Sequence, residues 1–157
     1  MSASKQKING SLGSTQVHES AHLHVSGEAC YIDDIREPQG TLYAAIAYSE
    51  LAHARIKSID LSTVLAAPGV VDVLSVADVI GKNNHGPILA DDPLFAEEIV
   101  EYVGQSIFAV IADSVNNARR AAKLAKIEYE PLPAILDIDS AVEKKSFVIP
   151  TVNLQRG

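Results

Sequence analysis

Tryptophan is absent from this 157-residue chain, and cysteine and methionine occur once each, as Cys30 and Met1. A single thiol closes no internal disulfide and builds no iron–sulfur cluster or zinc finger from this chain's own cysteines. Positive charge is scarce as well: 13 Lys and Arg stand against 20 Asp and Glu, a formal net charge of −7. That balance argues against a phosphate-backbone partner, and no basic patch with interleaved aromatics is present. The polar start, Met1 to Ser14, lacks an apolar core, so it reads as neither secretory signal nor membrane span, and a reducing cytoplasm is the expected compartment. No glycine-rich loop with Lys-Ser or Lys-Thr is there to cradle a phosphate; Gly10 to Gly13 and the lone Gly104 do not form one. What remains is an ordinary globular composition, 47% hydrophobic and 21% charged, which excludes disorder throughout. The length suits one domain, able to bury about 70% of the surface its unfolded chain exposes.

The chain is organised around Val103 to Pro133. The unbroken apolar run Ile107 to Ala112 predicts a strand buried on both faces. Asp113 or Ser114 is placed to cap a helix. In that helix Val115, Ala118, Ala122 and Ala125 recur at helical spacing, while Arg119, Arg120 and Lys123 fall largely on other faces. Lys123 and Lys126 suit the negative pole of the helix dipole. A second strand, Ile127 to Glu130, is closed by Leu132-Pro133. Strand, helix and strand with tight joints predict a right-handed crossover, its alanine face letting the helix sit close on the sheet.

Elsewhere residues 1–14 predict a flexible tail, and His18 to Val25 a short helical turn before Gly27. A turn follows at Pro38-Gln39-Gly40. Leu42 to Tyr48 reads as a central strand. Ala54 to Leu61 reads as a partly exposed strand of imperfect alternation. Ser62 starts a short helix that stops by Ala67-Pro68-Gly69. Val70 to Val76 is a further strand and Ala77 to Ile80 a brief helical turn. Gly81 to Pro93 is a loop, and Ile138 to Val142 a last helical turn. Several strands, short helices and one good helix predict an α+β fold with a mixed sheet and one main crossover helix.

The chemistry-bearing residues assemble no convincing active site. His18 and His22 share a helical face with His24 nearby, but a metal site needs further ligands and a supporting shell, and Glu19 points elsewhere; a polar surface segment is the better reading. His53 and His85 stand alone, each explained by a turn or a hydrogen bond. Asp33-Asp34 and Asp91-Asp92 are adjacent pairs that make no acid/base dyad, and loop capping is their expected role. Cys30 has no histidine partner in sequence and reads as a small buried residue.

Five segments in order carry a resemblance. They are Gly27-Glu28-Ala29 with Tyr31 and Asp33-Asp34-Ile35; His53-Ala54-Arg55-Ile56; Ala67-Pro68-Gly69-Val70; Tyr102-Val103-Gly104-Gln105; and Ile127-Glu128-Tyr129 with Pro131-Leu132-Pro133. Over about Val17 to Ala141 the chain resembles the start of the molybdopterin-binding subunit of the molybdenum hydroxylases, the xanthine dehydrogenase and aldehyde oxidase family. The resemblance implies an α/β-hammerhead domain over 15–143, between a flexible tail, 1–14, and a tail, 144–157, leading toward a missing molybdopterin-binding domain. It implies an oxidoreductase of purine catabolism or its relatives, hydroxylating purines, heterocycles or aldehydes with oxygen from water. The cofactors would be molybdenum–molybdopterin, with iron–sulfur clusters and FAD in partner domains or subunits.

Carried over residue by residue, the resemblance assigns this chain no catalytic, cofactor-binding or metal-binding residue, because the family's cofactor-binding and catalytic side chains lie in later domains. Gln105 and Glu28 fall in the hammerhead's own structural motifs. Ser106 stands where many relatives have proline. The chain then reads as an N-terminal fragment, inactive alone, that packs on downstream domains. The alternative is a stand-alone, non-catalytic binding or carrier-like module with Lys82 as its modified lysine. Without partner domains an apolar face would be left open around Leu42 to Tyr48 or Gly81 to Pro93, and self-association would cover it.

Overall fold

The computed structural model describes residues 18–88, 90–147 and 156. The chain divides into two units, one up to Gln39 and one from Gly40. The first carries helix α1 (Ala21–Ser26) and a 3-10 turn, Ile32–Asp34. Gly27 ends α1 at φ 77°, and its N–H donates to the Leu23 carbonyl. The left-handed conformation that this cap needs comes at little cost only to glycine.

The second unit runs β1 (Tyr43–Tyr48), β2 (Ala54–Asp60), α2 (Ser62–Leu65), β3 (Val70–Leu74), a 3-10 turn (Val76–Asp78), β4 (Ile99–Val100), β5 (Ser106–Ala112), α3 (Val115–Ala122), β6 (Lys126–Pro131) and α4 (Ile138–Glu143). The strands form two three-stranded antiparallel sheets, ordered β1-β5-β3 and β4-β2-β6. Consecutive strands always change sheet, so the chain alternates between the two from β1 to β6.

β5 is the centre of the first sheet, with Ile107, Phe108, Val110 and Ala112 all buried, as its unbroken apolar run requires. Full burial of Ile107, Phe108 and Val110 stabilises by about 1.5–3 kcal/mol each. Ser114 caps α3, its hydroxyl accepting from the N–H of Asn117 at 3.3 Å. α3 then lays Ala118 and Ala121, both buried, toward the first sheet. The core joins Phe108, Val110, Val73, Val64 and Ala121 to Ala54, Ala96, Val100 and Ile107, with Ile56, Ile59, Ile127 and Tyr129 of the second sheet packed against it.

Several expectations change. The sheets are two and antiparallel rather than one mixed sheet, although the α+β class holds. The strands on either side of α3 do not share a sheet: β5 lies between β1 and β3, whereas β6 pairs antiparallel with β2. α3 therefore bridges sheets, and the handedness rule for parallel strands of one sheet does not apply. Leu42 to Tyr48 is an edge, not a centre; its alternate residues Ala44, Ile46 and Tyr48 face outward. The imperfect alternation of β2 comes from a register shift between Ile56 and Ser58, an extra residue that resets which side faces the core. In α3 Ala118 is buried and Ala122, with Ala125 just beyond the helix, packs on the core as expected, but Ala121 joins them and Val115 is 40% exposed. β3 ends at Leu74, two residues early. The tail expected over 1–14 lies outside the described residues, as do 148–155 and 157 of the C-terminal tail.

Candidate functional site

The buried polar centre of the second unit is Ser49 with Gln105; both are 2% exposed. Ser49 follows β1 and Gln105 precedes β5, so the end of one strand meets the start of its ladder partner. The Ser49 N–H donates to the Gln105 carbonyl at 2.8 Å, and the Gly104 N–H donates to the Ser49 carbonyl at 2.8 Å. Gly104 takes φ 93° to make this approach. The Gln105 side-chain carbonyl accepts from the Glu101 N–H at 2.7 Å, and the Ser49 hydroxyl donates to the Leu51 carbonyl at 2.8 Å. All of these groups bond to backbone. Among the described residues no buried side-chain nitrogen or oxygen lacks a partner. The knot closes a turn between β1 and β5.

Two of the histidines, His18 and His24, meet ring to ring, but among the described residues they gather no further ligand. In the first unit His24 and Tyr31 share a 2.8 Å hydrogen bond, Tyr31 hydroxyl to His24 Nδ1, and the His18 ring stands edge-on to His24 at 5.8 Å. His18 Nδ1 accepts from the Ser20 N–H at 3.2 Å. Among the described residues no three His, Cys, Asp or Glu side chains gather as metal ligands. His53 Nδ1 lies 2.7 Å from the Pro133 carbonyl, and its own carbonyl accepts from the Leu132 N–H. This pins the segment after β6 to the start of β2. His85 Nδ1 stands 3.5 Å from Asp92 Oδ2 on the surface.

Asp34 caps as expected, accepting from the Tyr31 N–H at 2.9 Å. Glu28 accepts from the Ser26 hydroxyl at 3.2 Å. Cys30 is exposed rather than buried: it lies in the first unit, where no described residue is buried, and its thiol points to the neighbouring Tyr31 carbonyl at 3.7 Å. Lys82 is exposed beside Gly81. The Ser106 hydroxyl donates to the Leu94 carbonyl, a bond that proline cannot make.

The composition gave no warning of the order in the loop from Gly81 to Pro93. Asn83 acts as a detached piece of backbone, its amide bonding both the N–H and the carbonyl of Phe95 at 3.1 and 2.8 Å. Asn84 accepts from the N–H groups of Gly86 and Asp92, both at 3.0 Å. The loop so tied presents Ile88 91% exposed. The first sheet also shows an apolar outer side, where Ile46 and Leu74, 44% and 39% exposed, flank the buried Ala109 across the ladder. The corresponding side of the second sheet is charged, with Arg55 paired to Glu98 at 3.6 Å and Lys57 to Glu130 at 3.5 Å.

Two antiparallel sheets woven from one chain, with polar groups bonded inward and apolar side chains on the outer surface, define the architecture. The profile of the family described as "Aldehyde oxidase and xanthine dehydrogenase, a/b hammerhead domain" matches residues 26–133, and the chain belongs to that family. It is 47% identical to xanthine dehydrogenase 1 of Arabidopsis thaliana over 141 residues, covering 90% of this chain and 10% of that protein. It is 43% identical to xanthine dehydrogenase/oxidase of Gallus gallus over 152 residues, covering 97% of this chain and 11% of that protein. In structure it resembles the aldehyde oxidoreductase from Desulfovibrio desulfuricans, with TM-score 0.74 and 32% identity, over 82% of this chain and 16% of the other. The chain thus spans about a tenth of the length of the curated relatives it matches. No helix among the described residues is long and apolar enough to cross a membrane.

Proposed function

We propose that this chain supplies the hammerhead framework of a xanthine dehydrogenase-like molybdenum hydroxylase and is inactive by itself. The observation that carries this reading is the 47% identity over 90% of the chain to a xanthine dehydrogenase. The enzyme would hydroxylate a purine, heterocycle or aldehyde with oxygen from water, in the cytoplasm. Molybdenum–molybdopterin, iron–sulfur clusters and FAD would sit in other domains or subunits. The described residues do not fit any of these groups: the one thiol is alone on the surface, and Ser49 and Gln105 already bond to backbone. The hammerhead domain would run over 15–143, between tails at 1–14 and 144–157. Its part is mechanical. It packs on the catalytic domains through its open apolar surface, Ile46, Leu74 and Ile88, and stiffens the walls of the substrate passage. Rigid support matters because displacing reacting groups by about 1 Å costs about a hundredfold in rate. Alone, the same surface would drive self-association.

The purified chain should fold, retain no molybdenum by metal analysis, and reduce no dye with xanthine or an aldehyde. Turnover above background would sink the framework reading. A relative's full-length enzyme carrying this hammerhead in place of its own should keep its activity; failure of a folded chimera to turn over would count against the assignment to that enzyme class.

A further inference from the structure

β3 ends its sheet: β5 is its only strand neighbour among the described residues. Such an edge presents backbone N–H and C=O groups that a second chain can take up. In the other sheet the long edge strand, β6, is blunted by Lys126, Glu128 and Glu130 and finishes at Pro131. β3 is Val70, Val71, Asp72, Val73 and Leu74, with Asp72 its single charge.

Two features meet at Asp72. The ladder slips between Val70 and Asp72, so Val71 is an extra residue in the strand and is 60% exposed. The Asp72 carboxylate also accepts from the N–H of Val73 at 2.8 Å. Val73 stands opposite Val110, yet its N–H is met by this side chain. In an antiparallel ladder, a residue whose N–H is not taken up by its partner strand turns it to the far side. Here that side is the open edge.

We propose that Asp72 guards the edge of β3 against strand addition by a second copy of this chain. The donor that an incoming strand needs at Val73 is already occupied. Two copies of β3 brought together antiparallel would also set their Asp72 carboxylates near one another in a partly dry seam, where like charges repel. The extra residue at Val71 increases the local twist and spoils a flat seam.

Sedimentation velocity on the 157-residue chain tests this. Asp72→Ala should associate at a protein concentration about tenfold or more below that of the unaltered chain, because it removes both the occupied donor and the repulsion. Adding Val71→Lys puts a charge back on the edge and should reverse that association. Unchanged sedimentation of Asp72→Ala overturns the proposal. So does association that Val71→Lys leaves untouched, which would belong to another surface. If circular dichroism shows Asp72→Ala unfolded, amide exchange in the unaltered chain decides: a protected Val73 N–H supports the guard, and exchange at the rate of a free edge amide overturns it.

Discussion

At Gly69 the backbone is at φ 78°, and a Cβ placed there would lie 2.3 Å from Asn117 Nδ2 and 2.5 Å from Asp113 Oδ1. Those two groups bond each other at 2.7 Å, and the Asp113 N–H donates to the Gly69 carbonyl. Gly69→Ala therefore strains the backbone and also breaks this clasp at the start of α3. Gly40, at φ 83°, has nothing within 4 Å. Left-handed strain alone should cost Gly40→Ala about 1–2 kcal/mol, and Gly69→Ala should lose more, read from urea midpoints of the two variants. Equal losses would show that the clasp contributes nothing. Asp78 gives a pH-dependent case. The Ser75 N–H and hydroxyl donate to its carboxylate at 2.8 and 2.9 Å and hold its pKa below the usual carboxylate range. A carboxyl depressed in the folded state stabilises above its unfolded pKa, and that contribution is lost as pH falls through the folded value. Asp78→Asn should accordingly flatten the fall in thermal midpoint between about pH 5 and pH 2. An unchanged acid slope would rule the capping bond out as a contributor.

Elements were legible in the sequence where the signal is local. The cap at Ser114, the glycine after α1 and the apolar run of β5 all follow from neighbouring residues. Pairing was not legible, because nothing near Ile127 says that its strand turns to Ile59 rather than to β5. Cys30 was misread for a similar reason: burial depends on what the rest of the chain brings over a residue. Gln105 could be assigned to a structural motif, but its hold on the Glu101 N–H required the fold. The close seat of α3 supplies an element-scale prediction. Ala118 is fully buried, so Ala118→Leu should overpack the helix against β5 and cost about 1–3 kcal/mol. Ser114→Ala, which removes the cap, should cost about 1 kcal/mol. Denaturant unfolding of each variant measures both.

Across the second unit, apolar surface is unevenly placed: one sheet carries two ion pairs on its outer side, while the strands of the other bring a single charge, Asp72, to theirs. Ile46→Lys on that apolar outer side should weaken any concentration-dependent association of the chain while shifting its stability by no more than about 0.5 kcal/mol. Light scattering and thermal melts separate the two effects. The weave of the strands sets the kinetics. No pairing joins consecutive strands, so every ladder must close a long loop first, and refolding should take about milliseconds to seconds. Microsecond refolding in stopped flow or temperature jump would contradict that. The same weave has a consequence for dissection. Because the polypeptide shuttles from one sheet to the other at every step, no single scission separates one sheet from the other. Any one break anywhere from β1 to β6 leaves strands of both sheets on at least one fragment, and the halves should hold together as a nicked complex or come apart as one.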